Sequence, residues 1–184
     1  MDVSVSKGDL LTGESSSYLV EDFLGEGSFG KVARCVSTAT NEKVAVKIIK
    51  NHPELLAAAR QEIVMLRFLR VLDPDSCGIV KWMGFFKHGP HVCLVFELLK
   101  QSLMDFAMLT ANHTLPLRQI KHILEQLASA LDHLGCFGVI HGDLKPENIM
   151  MTGQGTRVKI IDFGLSIHVS KAKIGHNFGT LWYR

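Results

Sequence analysis

From residue 18 onward, short runs rich in apolar and β-branched residues are separated by turn-forming glycine, asparagine and proline. Residues 18–24, 32–36 and 44–49 read as strands, the first pair joined through Gly25-Glu26-Gly27-Ser28-Phe29-Gly30-Lys31-Val32 and the second through a turn at Thr40-Asn41. Pro53 then opens a helix over residues 53–70, where its missing N–H costs little, and Leu55, Ala59, Ile63, Leu66 and Arg70 fall near one stripe with Glu62 beside it. Asp73-Pro74-Asp75 breaks that helix, and residues 79–86 and 91–96 follow as strands around a turn at His88-Gly89-Pro90. The first half is therefore expected to hold five antiparallel strands and one helix.

The second half changes period. Residues 102–109 read as a short helix and 116–137 as a long one, with Ile120, Ile123, Leu124, Leu127, Leu131 and Leu134 repeating at helical spacing. His122 and His133 lie on or near its polar flanks and read as surface residues. Short strands follow at 139–140, 149–151 and 158–161, the last two separated by Gly153-Gln154-Gly155. Residues 1–16 sustain no period and read as a disordered leader. The class expected is α+β, with a sheet-rich half before a mainly helical one.

Polar residues cluster where these strands end. His141-Gly142-Asp143-Leu144-Lys145-Pro146-Glu147-Asn148 precedes one strand, and Asp162-Phe163-Gly164 follows another. In that layout Asp143 can face a hydroxyl, Asn148 and Asp162 offer the hard oxygen ligands that Mg²⁺ prefers, and Lys145 sets a positive charge beside a transferring phosphoryl group. Upstream, Gly25-x-Gly27-x-x-Gly30 marks any tight turn as readily as a phosphate site. Its glycines join two antiparallel strands instead of leading into a helix, which disfavours a dinucleotide fold and suits a lid whose backbone N–H groups fold over phosphates. Lys47 shares a strand face with Ala45, opposite Val44 and Val46. Taken alone it reads equally as a surface lysine, as Glu62 reads as a carboxylate at the solvent edge of its helix; together they make a cation and an anion seeking partners.

Composition narrows the classes further. With 47% hydrophobic and 21% charged residues among 184, the chain has the make-up of a globular protein. A formal charge of +2 without a Lys/Arg run argues for neither nucleic acid nor an anionic membrane. Cys35, Cys77, Cys93 and Cys136 are widely spaced, with no Cys-x-x-Cys pair, so reduced thiols of an intracellular protein are expected, with no disulfide and no zinc site. The most apolar stretch, residues 92–99, is far too short to span a bilayer and contains Glu97.

The Asp143 loop resembles the catalytic loop of eukaryotic protein kinases in its Ser/Thr form, and Asp162-Phe163-Gly164 resembles their metal-binding triplet. More narrowly, Lys50-Asn51-His52-Pro53, Cys93-Leu94-Val95-Phe96-Glu97-Leu98-Leu99, Glu147-Asn148-Ile149-Met150 and Ser166-Ile167-His168-Val169-Ser170-Lys171 resemble the homeodomain-interacting protein kinases. The resemblance implies a two-lobed fold, with residues 17–99 as the first lobe and hinge and 100–184 as an incomplete second lobe ending in the activation segment. It implies ATP and Mg²⁺ as cofactors. Asp143, Lys145 and Asn148 would be catalytic, and Asn148 and Asp162 would hold the metal. Leu24, Gly25, Glu26, Gly27, Ser28, Phe29, Gly30, Val32, Ala45, Lys47, Glu62, Phe96, Glu97, Leu99 and Met150 would bind the nucleotide. Within that set Lys47 and Glu62 would position the α/β-phosphates, Phe96 would be a bulky gatekeeper, and Glu97 carbonyl and Leu99 N–H would bond the adenine edge. Thr180 would bond the catalytic loop and help select Ser/Thr hydroxyls. Implied partners are protein substrates, among them transcription regulators, in the nucleus or the cytoplasm.

Three departures accompany the likeness. Gly142 stands where many kinases carry an arginine that grips a phosphorylated loop, and Asn177 stands where the homeodomain-interacting kinases have their activation-loop tyrosine, so a loop not switched by tyrosine phosphorylation is expected. The sequence ends at Gly179-Thr180-Leu181-Trp182-Tyr183-Arg184, before the Ala-Pro-Glu that the family carries. The apolar face of the 116–137 helix is then expected to lack part of its cover, which favours association and raises a competing reading, a kinase-like module that binds nucleotide or a partner without transferring phosphate. A small-molecule phosphotransferase also fits His141-Gly142-Asp143 followed by Asn148, but Lys145, the glycine hairpin and Asp162-Phe163-Gly164 argue against it.

Overall fold

The computed structural model describes residues 3–153, 157–173, 175 and 179–183. They fall into two compact units, Met1–Val64 with Lys81–Leu98, and Met65–Val80 with Leu99–Arg184.

The first unit is built on an antiparallel sheet. Its strands are β1 (Leu10–Thr12), β2 (Ser17–Gly27), β3 (Gly30–Ser37), β4 (Lys43–Ile49), and, after helix α1 (Pro53–Phe68), β5 (Trp82–His88) and β6 (His91–Glu97), in the order β1-β2-β3-β4-β6-β5. The β2–β3 hairpin closes at Gly27↔Gly30, leaving Ser28 and Phe29 as its tip. Gly30 sits at φ +145, and a Cβ there would run into the Ile48 carbonyl, so only glycine lets β3 enter so close to β4. Alternation buries Val44, Val46 and Ile48 on one face of β4 while Ala45 and Lys47 keep partial exposure on the other.

The amino-terminal stretch corrects the expectation of a disordered leader. Leu10, Leu11 and Thr12 pair with Leu19, Tyr18 and Ser17, and the Gly8 N–H donates to the Val20 carbonyl at 2.9 Å. Val3, Val5 and Leu11 join Val20, Cys35, Val46, Ile48 and Val95 in one core, with Leu11 fully buried. Burying a leucine contributes about 1.5–3 kcal/mol. Too few apolar residues lie here to show a period; the sheet edge supplies the order instead.

In the second unit α1 continues as a short 3-10 turn at Leu69–Val71. Residues 79 and 80, expected to open a strand with 81–86, instead bridge to Ile160: the Ile160 N–H donates to the Gly78 carbonyl and the Val80 N–H to the Ile160 carbonyl. The remaining elements are β7 (Gln101–Ser102), α2 (Leu103–Met108), α3 (Leu117–Cys136), β8 (Val139–Ile140), β9 (Ile149–Met151), β10 (Val158–Ile160) and β11 (Ile167–His168). Ser102 and Asp105 cap α2 reciprocally. Strands β10, β9 and β7 form one small antiparallel sheet, and β11 pairs with β8. The face of α3 is divided: Ile123, Leu127, Ala130 and Leu134 are buried, while Ile120, Leu124 and Leu131 remain exposed. Gln126 ties the covered side to β10 by accepting from the Val158 N–H at 3.0 Å.

Candidate functional site

Within the sheet unit, strand pairing sets Val32 opposite Lys47 and Ala45 opposite Phe96. The Lys47 ammonium donates to both Glu62 carboxylate oxygens, at 3.0 and 2.9 Å, with side-chain exposures of 12% and 4%. It also lies 5.0 Å from the centre of the Phe29 ring, so the tip of the hairpin turns over the pair. The Phe29 carbonyl accepts from the Lys50 N–H at 2.9 Å, which anchors that tip. Leu24 is exposed, and Gly25 and Glu26 pair with Val32 and Lys31 on the flank of the hairpin. At the end of β6 the Glu97 carboxylate accepts from the Lys81 N–H at 2.6 Å, while the Glu97 N–H donates to the Lys81 carbonyl at 3.0 Å.

In the second unit the predicted catalytic residues converge. Asp143 Oδ1 accepts from the Thr180 N–H at 2.8 Å and from the Thr180 hydroxyl at 2.6 Å. Asp143 Oδ2 lies 2.8 Å from Lys145 Nζ and accepts from Asn148 Nδ2 at 3.2 Å; that amide also donates to the Asp143 carbonyl at 2.8 Å. Lys145 Nζ donates to Thr180 Oγ1 at 2.8 Å, closing a ring of three side chains. Burial pushes the Asp143 carboxyl up, but the bonds from Lys145 and Thr180 outweigh it and hold the group below the usual carboxylate range. The bond to Asp143 raises Lys145 in turn. Both groups are charged at neutral pH.

His141 carries a role that its position in the motif did not reveal. Its Nε2 donates to the Ile161 carbonyl at 2.9 Å and its Nδ1 accepts from the Asp143 N–H at 3.3 Å, an arrangement that puts the single proton on Nε2. Burial lowers its pKa, against the opposing pull of the Ile161 carbonyl and the nearby Asp162 and Asp143. The ring meets buried Phe163 edge-on, with centroids 5.1 Å apart. One neutral imidazole thus joins the backbones of the two polar loops.

Asp162 adopts φ +61, a left-handed conformation for a residue with a side chain, and its Oδ1 accepts from the Gly164 N–H at 3.4 Å. The Ile161 N–H donates to the Asn148 carbonyl at 2.9 Å, which holds the two expected metal ligands on adjoining backbone. An amide oxygen and a carboxylate, with phosphate oxygens completing the shell, suit Mg²⁺, which seldom relies on an all-protein cage. The described residues contain no cluster of three His, Cys, Asp or Glu. Leu99 is half-buried ahead of β7, and Met150 on β9 pairs with Ser102.

Gly142 takes φ +83, and a Cβ there would collide with the Leu165 carbonyl, so the turn excludes the arginine found in many kinases at this place. Asn177 lies outside the described residues. The four cysteines are free, and burial pushes the Cys35 and Cys93 thiols up to about 12. No helix among the described residues is long and apolar enough to cross a membrane.

Comparison with known proteins follows the same lines. The family model for the protein kinase domain matches residues 18–184. Homeodomain-interacting protein kinase 1 of Mus musculus is 42% identical over 186 residues, covering 100% of this chain and 15% of that protein. Homeodomain-interacting protein kinase 2 of Mesocricetus auratus is 41% identical, over 100% of this chain and 16% of its own length. Homeodomain-interacting protein kinase 4 of Homo sapiens is 39% identical, with coverages of 82% and 25%. The chain thus spans no more than about a quarter of these relatives. The crystal structure of the PF14_0431 kinase domain superposes with a TM-score of 0.90 at 28% identity, covering 100% of this chain and 60% of that one.

Proposed function

The chain belongs to the protein kinase domain family, and from that premise we propose that it is the nucleotide-handling part of a protein serine/threonine kinase, transferring the γ-phosphoryl group of Mg-ATP to Ser or Thr hydroxyls of protein substrates. The observation that carries the reading is the Asp143–Lys145–Thr180 ring, which holds an ionised carboxylate and an ammonium together in a strand-end loop.

In this reading residues 17–99 act as the first lobe and hinge, and 100–184 as part of the second lobe running into the activation segment. We assign the glycine hairpin, residues 24–30 with Val32, to covering the nucleotide, Ala45, Phe96, Glu97, Leu99 and Met150 to binding its base, and Lys47, braced by Glu62, to the α- and β-phosphates. Asn148 and Asp162 would hold Mg²⁺, whose chemistry is to neutralise phosphate charge. Asp143 orients the acceptor hydroxyl and takes its proton. Lys145 offsets charge on the transferring group, and Thr180 fixes the carboxylate that receives the proton. His141 is a positioning residue, setting the Asp143 backbone through Nδ1. Substrates drawn from transcription regulators, and a nuclear location, extend the reading from the relatives' names.

The exposed Ile120, Leu124 and Leu131 of α3 favour a second reading, a kinase-like module that binds a partner or nucleotide without transferring phosphate. Radiolabel transfer from Mg-ATP to a Ser/Thr peptide library separates the two. Transfer that falls about 10²–10⁴-fold in Asp143→Asn supports the kinase. An ATP-dependent thermal shift with no transfer supports the module.

A further inference from the structure

Lys47 has a neighbour besides Glu62. Phe29, half-buried at the tip of the β2–β3 hairpin, sets the centre of its ring 5.0 Å from the Lys47 ammonium. The edge of the same ring lies against Gly27, where a Cβ would stand 3.0 Å from Phe29 Cε1. One ring thus reaches from the backbone of the hairpin to the ammonium and fills the gap between them. Gly27, Phe29, Lys47 and Glu62 all belong to the sheet unit, so the arrangement is complete within it.

That gap is where phosphates must enter if the hairpin N–H groups and Lys47 are to hold them together. A phosphate coming from the hairpin side would bring an oxygen to about 2.7–2.9 Å from the ammonium nitrogen. It would then lie inside the volume the ring holds, so ring and phosphate exclude each other. The exchange favours phosphate, whose full negative charge outweighs the quadrupole of an aromatic face. An uncharged group brings no such gain. The Lys50 N–H donates to the Phe29 carbonyl at 2.9 Å and fixes the backbone there, so the ring can clear the gap by a change of χ1 alone.

Resting on the reading of Lys47 as the phosphate-facing cation, we propose that Phe29 is a built-in competitor for the phosphate position: its ring covers Lys47 while no nucleotide is bound, and a ligand uncovers it only by presenting phosphate there. Phe29 is thereby a specificity-determining residue. It weakens phosphate-bearing ligands by the fraction of molecules whose ring is in place and leaves a bare nucleoside unaffected. A cation–π contact at a partly open site favours the covered state about twofold to fivefold, so removing the ring should tighten phosphate-bearing ligands about threefold to sixfold.

Titration calorimetry on the 184-residue chain and on Phe29→Ala, with adenosine, Mg-ADP and a non-hydrolysable Mg-ATP analogue, separates the two ligand classes. Both phosphate-bearing ligands should bind Phe29→Ala about threefold to sixfold more tightly, and adenosine should bind the two chains alike. With 4-fluorophenylalanine incorporated in place of Phe29, the fluorine resonance should move on adding Mg-ADP and stay in place on adding adenosine, a readout that needs no truncated side chain. Nucleotide binding that is unchanged or weakened in Phe29→Ala would overturn the proposal while leaving the nucleotide reading intact. So would an equal gain for adenosine, or a fluorine resonance that moves with adenosine. Absence of nucleotide binding to both chains would overturn the nucleotide reading and the proposal with it.

Discussion

Separating Lys47 from Glu62 gives the sharpest test of how the sheet unit is held together. The two charges lie 2.9–3.0 Å apart and are nearly withdrawn from water. At an effective dielectric of about 20 their attraction is about 5–6 kcal/mol before the cost of dehydrating both groups is subtracted. Much of that gain is cancelled in the intact pair, but removing one partner takes from the other its 2.9–3.0 Å counter-charge while leaving it buried, at a cost of up to about 3–5 kcal/mol. Lys47→Met and Glu62→Leu should each lower stability by that amount. Lys47→Met also gives up the contact with the Phe29 ring, worth about 0.5–1 kcal/mol at a partly open site. With both changes together neither charge of the pair remains, and Lys47→Met/Glu62→Leu should lose less than the sum of the singles. Urea unfolding of the four chains, followed by far-ultraviolet circular dichroism, measures the coupling directly. If the double variant equals the sum of the singles to within about 0.5 kcal/mol, the pair is not coupled and the reasoning is wrong.

Other outcomes follow from the same structure. His141 and Asp143 both have depressed folded-state pKa values, so the stability each contributes is complete above its unfolded value, about 6.5 for His and 3.9 for Asp, and is lost as pH falls through the folded one. Denaturation across a pH series should show stability declining below about pH 6.5 and again below about pH 4, and His141→Gln should remove the first decline. Lys145 is raised, so its contribution is complete below about pH 10.4 and is lost as pH rises through its folded value. Gly142→Ala should destabilise by about 1–3 kcal/mol because of its φ and the Leu165 carbonyl, whereas Gly153→Ala, which meets nothing within 4 Å, should stay within about 0.5 kcal/mol in the same melts. Leu11→Ala should lose about 2–5 kcal/mol, and Leu10→Ala, at an exposed position, almost nothing; equal effects would return residues 1–16 to a leader without structure.

Much of the sheet was legible because burying one face of a strand forces alternation, as Val44, Val46 and Ile48 show against Ala45 and Lys47. The long helix was legible for the same reason at a different period, although spacing could not tell which half of its apolar face is covered. Strand β1 was not legible, since three residues at a sheet edge carry no pattern and gain their order from partners five to nine positions away. Nor were residues 79 and 80, whose β-branched character suits a strand in either unit. In the site, charge and spacing singled out Asp143, Lys145 and Asn148, and their types alone implied a carboxylate, an ammonium and an amide acting together. What stayed hidden was conformational: the tautomer of His141, the left-handed Asp162 and the turn that keeps Gly142 a glycine.

The Asp143 carboxylate already has two donors on each oxygen: the Thr180 N–H and hydroxyl on one, Lys145 and Asn148 on the other. An ionised carboxyl group has about four acceptor positions, so here every seat is taken. A newcomer, whether a side-chain hydroxyl or a stray water molecule, enters only by unseating a resident donor. Loose solvent has little to offer in such an exchange, whereas a chain that brings further contacts can compensate for the donor it displaces, so the ring works as a threshold that sorts visitors by what else they carry.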